Sequence, residues 1–481
     1  MRRALPCVLA LSAALLCGCA RSDSTRRDPL ALTTATDLDP SADVVEIELV
    51  AEVASKEYLD GKDALVWGYR DAGKKGAKVT VPGPLIESKV GDLLIVRVTN
   101  ELPEPTTVHW HGIRLPALMD GTNMSQMPIP VGESFEYRFT VIDAGTFWYH
   151  PHVRADMQIE NGLYAPLIVH AGLEPDVDVE ADRYFVLDEV KLDADGTLTE
   201  TMGTLDYMVG KQGNVRLVNG VNTESAVLSV KDGARERWRF VNAANGRFFN
   251  LSLPGHSFLV IGWDGGLIET PYTTQTLLVS PGERYEVIVE LTKTENLSLQ
   301  TLYYDRGHDL PDPGPLDLLR LRFKGTAEAR EPLPAAWGNI VPLPVDASTP
   351  SRSFVLSEVD DGGDGKPRFF INDEAWPFNV TIMGSLGQLE VWEIVNTAEM
   401  DHPFHLHGVF FQVLDVAGVP ETRLGWKDTV VVPQSATVRF AVRFDEPGMW
   451  MYHCHILEHA ELGMMGQIMV MDTMGAAAAS L

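Results

Sequence analysis

The chain has 481 residues, 45% of them hydrophobic and 22% charged, with a formal net charge of −28 at pH 7. That length exceeds one ordinary domain and fits three at about 150 residues each. So acidic a body argues against nucleic acid as a partner, and no apolar stretch after the first twenty residues reaches the roughly 18 needed to span a bilayer.

In chain order, Arg2 and Arg3, the apolar run from Ala4 to Leu16 and the small residues that follow read as an export signal over 1–18. The run Leu16, Cys17, Gly18, Cys19 resembles a bacterial lipobox. It implies acylation of Cys19 and a periplasmic or cell-surface protein that meets the membrane only through that lipid; an ordinary cleaved signal with incidental cysteines is the alternative. The polar stretch Arg21 to Asp43 lacks apolar periodicity, so 19–43 is expected to be a flexible tether. The four cysteines are Cys7, Cys17, Cys19 and Cys454, which leaves the body with Cys454 and no possible disulfide. An unpaired thiol in an exported protein needs another reason to exist, and metal ligation is the leading one.

One pattern occurs three times: Gly91 to Asn100 (GDLLIVRVTN), Gly233 to Asn242 (GARERWRFVN) and Gly387 to Asn396 (GQLEVWEIVN). Each is a glycine turn, an alternating strand and an asparagine nine residues on. A second pattern follows each copy at similar spacing: Pro130 to Tyr137, Ser280 to Tyr285 and Pro433 to Arg439. Short alternating strands with frequent Gly and Pro punctuation predict three antiparallel β-sandwiches, at 44–172, 173–330 and 345–475. The proline-rich segment Ala329 to Ser351 is expected to link the second and third.

The thirteen histidines are spread unevenly over these copies. Ten form four clusters: His109 and His111; His150 and His152; His402, His405 and His407; His453, His455 and His459. The middle copy has none of them, as expected of a spacer or substrate platform. His170, His256 and His308 are read as ordinary surface or core residues. On a strand, residues i and i+2 share a face, so each His-x-His pair can aim two imidazoles into one cavity. Eight imidazoles exceed what a single ion needs and point to a cluster of several ions, with copper well suited to neutral imidazole.

The remaining ligands form a second set. His402, Cys454 and His459 offer two imidazoles and a thiolate, and Met464, ten residues after Cys454, offers a weak axial thioether. That is the composition of a blue-copper electron-transfer centre. His453 and His455 flank Cys454 on the opposite strand face, so one strand joins both sets.

The strings HWHG at 109–112, WYHPH at 148–152, HPFHLHG at 402–408 and HCHILEH at 453–459 resemble the four signatures of the multicopper oxidases, as found in three-domain bacterial laccase-like and copper-resistance enzymes. The resemblance spans about residues 80–470. It implies an all-β fold of three cupredoxin-like Greek-key β-sandwich domains in tandem and four copper ions. Type 2 copper would be held by His109 and His405. The type 3 pair would be held by His111, His150, His152, His407, His453 and His455, and type 1 copper by His402, Cys454, His459 and Met464. The implied reaction is one-electron oxidation of a donor at His459, near the surface, coupled to four-electron reduction of dioxygen to water.

Protons for that reduction call for carboxylates near the cluster. Asp120 sits where the family often has an acid, and a turn aspartate before Gly121 is the alternative. Some bacterial relatives carry an acid directly after the last type 1 histidine; here it is Ala460, which leaves Glu458, or Glu461, as substitutes. The donor is a small phenol or aromatic amine, or a reduced metal ion as in a cuprous oxidase of copper tolerance. Met119, Met124 and Met127 are read as packing and the acidic loop from Asp305 to Asp312 as solvated. A monomer is expected. The rival from another class is a non-catalytic copper-binding cupredoxin, which would be expected to miss several ligands.

Overall fold

The computed structural model describes residues 30–171, 177–334 and 337–472. The expected signal at 1–18 and the acylated Cys19 lie outside the described residues. Within them the strands form six sheets, two in each copy of the repeat, making three sandwiches in tandem.

Each repeat strand sits between the same two neighbours. Leu93–Glu101, Ala234–Asn242 and Leu389–Asn396 pair in parallel with the first strand of their sandwich, Val44–Leu59, Ala181–Val190 and Ser351–Val359. On the other side they pair antiparallel with Ser134–Thr140, Arg284–Leu291 and Thr437–Arg443. The sheets are therefore mixed rather than wholly antiparallel, because the chain crosses between layers before the repeat strand is laid down.

The repeated asparagine closes a corner. Asn100 Nδ2 donates to the carbonyls of Glu104 and Ile129 at 3.0 and 2.9 Å, while its Oδ1 accepts from Leu102 N. Asn242 makes the same three bonds to Arg247, Val279 and Ala244, and Asn396 to Met400, Val432 and Ala398. All three are buried, so a side chain lacking the amide strands three backbone groups away from water. Asn242→Ala is expected to cost about 3 kcal/mol, roughly one per lost bond. Thermal denaturation checks this, and an unchanged melting temperature would contradict it.

Two boundaries differ from the sequence expectation. The stretch 19–43 does not hang free where it is described: Leu30 is buried in the core of the second sandwich and its carbonyl accepts from Asn219 Nδ2 at 2.8 Å. Ala35 N donates to Leu85 O at 2.8 Å and Thr36 Oγ1 to Asp71 Oδ2 at 2.7 Å. Composition counts only what a segment can bury by itself, and here the first two sandwiches supply partners that satisfy its backbone. The linker is likewise partly anchored, with Trp337 buried against Ile261 and Ile288. A shared core runs across the first and third sandwiches and brings their histidine strands face to face.

Candidate metal centre

Four short strands carry the histidine clusters, with His152, His407 and His455 just past their ends. His109–His111 runs antiparallel to Gly145–His150 with His109 opposite His150, and His402–Leu406 runs antiparallel to Gly448–Cys454 with His405 opposite His453. The first ladder belongs to the first sandwich and the second to the third. Across their interface His111 stacks on His405 with ring centroids 3.9 Å apart, and His109 on His407 at 4.0 Å.

Three triplets of imidazoles result, each with its nitrogens within 4.8 Å of one another: His109, His111 and His405; His111, His150 and His455; His152, His407 and His453. His407 Nε2 and His453 Nε2 approach to 3.1 Å. Stacking that many imidazoles in a core has no hydrophobic motive. His109 Nε2, His111 Nδ1, His150 Nε2, His405 Nε2 and both nitrogens of His455 are buried without a hydrogen-bond partner. Each such atom costs on the order of 1–3 kcal/mol unless something accepts its lone pair. Burial, with the neighbouring His109, pushes His407 down to about 3, and burial takes His111, His150, His453 and His455 well below the usual range. Neutral, unpartnered, convergent nitrogens are what a multinuclear metal centre requires, so the donor set fits copper.

A fourth group lies on the other face of the same strand. Cys454 Sγ is 3.5 Å from His402 Nδ1 and 3.6 Å from His459 Nδ1, which are 3.1 Å apart. All three are buried, and burial pushes the thiol up and His402 down to about 4. An uncharged thiol is what the protein alone would keep; a cation supplies the reason to lose the proton. Met464 is also buried, and its carbonyl accepts from Cys454 N at 3.0 Å.

The acids expected beside the cluster are placed differently. Asp120 follows the 3₁₀ turn Ala117–Met119, is buried, and its Oδ2 lies 3.0 Å from His407 Nδ1 while its carbonyl lies 2.8 Å from His109 Nδ1. It is at once a turn residue and a partner of two cluster imidazoles. Burial opposes its charge, yet the His407 and His109 imidazoles hold it well below the usual carboxylate range. Glu458 does not face the cluster: its Oε1 accepts from Asn245 Nδ2 at 2.8 Å at the seam with the middle sandwich. Burial and the nearby Asp156 raise it to about 8. Glu461, whose side chain reaches solvent, accepts from Ala155 N at 2.9 Å, and partial desolvation with the nearby Asp156 raises it. The short helix Leu457–Glu461 turns both carboxyls toward the first two sandwiches, which spacing along the chain did not reveal.

His459 is not near the surface. It is fully buried, and its Nε2 lies 2.9 Å from the carbonyl of Met208, at the end of the helix Thr204–Val209 of the middle sandwich. The other histidines behave as expected of ordinary residues: His170 lies 3.2 Å from Glu87, His256 beside Thr292 and His308 3.2 Å from Glu358.

Two residues of this centre escaped the sequence reading. Asp428 Oδ1 lies 3.2 Å from His111 Nε2, and Asp428 O lies 2.9 Å from His405 Nδ1. Arg284 of the middle sandwich grips Asp428 with Nη1 at 2.7 Å from Oδ1 and Nη2 at 2.6 Å from Oδ2. Gly282 faces the same place: a Cβ there, at φ +85°, would stand 2.7 Å from the His455 ring. The middle sandwich supplies no ligand, yet it is more than a spacer. The available signal was the pair Lys427 and Asp428 set immediately before an apolar strand, an odd place for charge.

The chain is similar to known proteins over most of its length. Family models described as multicopper oxidase match residues 73–173, 185–303 and 348–474. Multicopper oxidase MmcO of Mycobacterium tuberculosis is 33% identical over 80% of this chain and 81% of its own. Among solved structures, a Campylobacter jejuni multicopper oxidase described as a metallo-oxidase superposes with a TM-score of 0.81 at 29% identity, covering 92% of this chain and 94% of that one. CueO of Ochrobactrum sp., described as laccase-like with oxidase activity towards lignin model compounds and lignosulfonate, gives a TM-score of 0.78 at 27% identity, covering 92% and 100%.

Proposed function

We propose, from the premise that this chain belongs to the multicopper oxidase family of oxidoreductases with dioxygen as acceptor, that it holds four copper ions in two centres. Its three sandwiches are cupredoxin-like domains, and its reaction is that of a laccase-like oxidase. His402, Cys454, His459 and Met464 hold type 1 copper, His109 and His405 type 2, and His111, His150, His152, His407, His453 and His455 the type 3 pair. The observation that carries this is the convergence of unpartnered buried imidazole nitrogens on the face of the strand opposite Cys454. Bound copper supplies one-electron chemistry at the first centre and four-electron delivery to dioxygen at the second.

The chain's own groups hold these ligands in place. The carbonyls of Asp120, Pro151, Asp428 and Cys454 accept from Nδ1 of His109, His150, His405 and His453, which fixes the tautomer and leaves Nε2 with its lone pair. Cys454 reaches the cluster through its own backbone to His453 and His455. Burial of the ten histidines excludes bulk water. Asp120 is the carboxylate placed next to the cluster, its ionised Oδ2 accepting from His407 Nδ1. Asp120→Asn is expected to slow dioxygen uptake by about 10–100-fold while anaerobic reduction of type 1 copper by donor proceeds as before. Stopped-flow bleaching beside oxygen-electrode rates checks this, and unchanged uptake would remove Asp120 from the role.

The donor we favour is a small aromatic, in line with the Ochrobactrum relative. A second reading, oxidation of Cu(I), is favoured by the cover over His459, which keeps a bulky ring from touching the imidazole, and by the metallo-oxidase relative. Comparing turnover of a bulky phenol with that of Cu(I) under air separates the two. From residues 1–19 we also propose export and anchoring through a lipid on Cys19, with the body acting as a monomer.

A further inference from the structure

A cleft of about 270 Å³ in the middle domain has three arginines in its walls, Arg216, Arg247 and Arg306, beside Phe248, Tyr303 and Tyr304. In a protein of net charge −28 that concentration of cations needs a cause. Among the described residues only Arg247 of the three forms an ion pair, with the buried carboxylate of Glu189, which acts on Arg216 and Arg306 at longer range. Arg306 is 3% exposed, its Nη1 has no hydrogen-bond partner, and Arg216 Nε is likewise buried and unpartnered. Burial and repulsion from Arg247 push Arg306 down to about 10 and lower Arg216 as well. The acids of the adjoining loop, Asp305, Asp309 and Asp312, are exposed and do not line the cleft.

The cleft also has an apolar wall suited to a ring. Phe248 stacks on Tyr304 with centroids 5.8 Å apart and planes at 20°, and the Arg306 guanidinium lies 5.2 Å from the Phe248 ring centre. Both walls lead to the type 1 ligands. Tyr304 OH donates to Asp401 Oδ2 at 2.6 Å, and Asp401 precedes His402 in the chain. Arg306 Nη2 donates to the Val209 carbonyl, and the next carbonyl, of Met208, is the one against His459 Nε2.

We propose that this cleft is the docking site for electron donors that are aromatic anions, phenols bearing a carboxylate or sulfonate, with the anionic group on Arg216 and Arg306 and the ring against Phe248 and Tyr304. The proposal rests on the laccase-like reading and names its substrate class. Four such phenols each give up one electron and the O–H proton and leave as phenoxyl radicals, and the four electrons and four protons convert one dioxygen into two waters. A donor seated here needs no contact with His459 itself, which resolves how a buried type 1 histidine serves an aromatic substrate.

The test compares the copper-loaded wild type with Arg216→Gln, at a half-buried position, with the melting temperature of both recorded so that a folding defect is told apart from a lost contact. With 4-hydroxy-3-methoxycinnamate and its uncharged methyl ester as donors, the ratio of kcat/KM for acid over ester is expected to fall about tenfold in the variant, the effect of one lost charge-assisted bond. The preference of the wild type should also shrink as salt is raised. Calorimetry with the non-oxidisable 4-methoxycinnamate is expected to show binding to the wild type and about tenfold weaker binding to the variant. An acid-to-ester ratio unchanged by the substitution, or no binding heat in the wild type, would overturn the docking site while leaving the oxidase reading intact. Oxidation of neither phenol beside brisk consumption of Cu(I) would overturn the aromatic-donor reading and this site with it.

Discussion

Replacing Cys454 by serine is expected to abolish the red absorption of the copper-loaded protein and to cut donor oxidation by at least about a thousandfold, on the order of 4 kcal/mol in barrier. The thiol is the one cysteine among the described residues, and it stands 3.5 and 3.6 Å from the two imidazole nitrogens that share its site. A serine hydroxyl keeps the shape but supplies neither a thiolate nor a covalent sulfur path to His453 and His455. The cluster ligands lie on the opposite strand face, so the near-ultraviolet absorption of the paired ions should survive. Absorption spectra and steady-state rates check both halves. A variant that keeps its colour and turnover would show that Cys454 is not a copper ligand.

Replacing Arg284 by leucine is expected to cost about 3–5 kcal/mol of stability and to empty part of the cluster, although no ligand is touched. Arg284 is completely buried and its guanidinium serves all three sandwiches: Asp428 bidentately, the carbonyl of Asp264 at 2.8 Å and that of Thr146 at 3.0 Å. Burial opposes the charge on Asp428, and Arg284 holds it well below the usual carboxylate range nonetheless. Leucine would leave that carboxylate uncompensated beside His111 and His405, so the residue that orients their rings would no longer be fixed in place. Lysine keeps the charge but lacks the planar fork, and should fall between wild type and leucine. Melting temperature and copper per chain are the readouts. A leucine variant with wild-type values for both would show that the pair is dispensable.

These two cases mark what the sequence could and could not carry. Cys454 was legible because its constraint is local: i and i+2 share a strand face, and an isolated thiol stands out once no disulfide is possible. The repeated asparagines were legible as a pattern for the same reason, since each closes a corner within its own sandwich. Arg284 and Asp428 meet across 144 residues and two domains, and neither carries a spacing that announces the other. The burial of His459 was hidden too, because its cover is a single six-residue helix, Thr204–Val209, too short for apolar periodicity. Glu458 was misplaced by the same kind of gap: adjacency to His459 in the chain says nothing about the direction a short helix turns its carboxyl. Residues 30–43 lack the composition of a packed segment and are held by edges that only the folded neighbours provide.

The most direct test of two copper centres joined by one strand is the absorption spectrum of the copper-loaded, air-oxidised protein. Copper bound to Cys454 is expected to absorb strongly in the red, and the paired ions held by the flanking histidines to give a near-ultraviolet band. A copper-loaded protein that is colourless would contradict this.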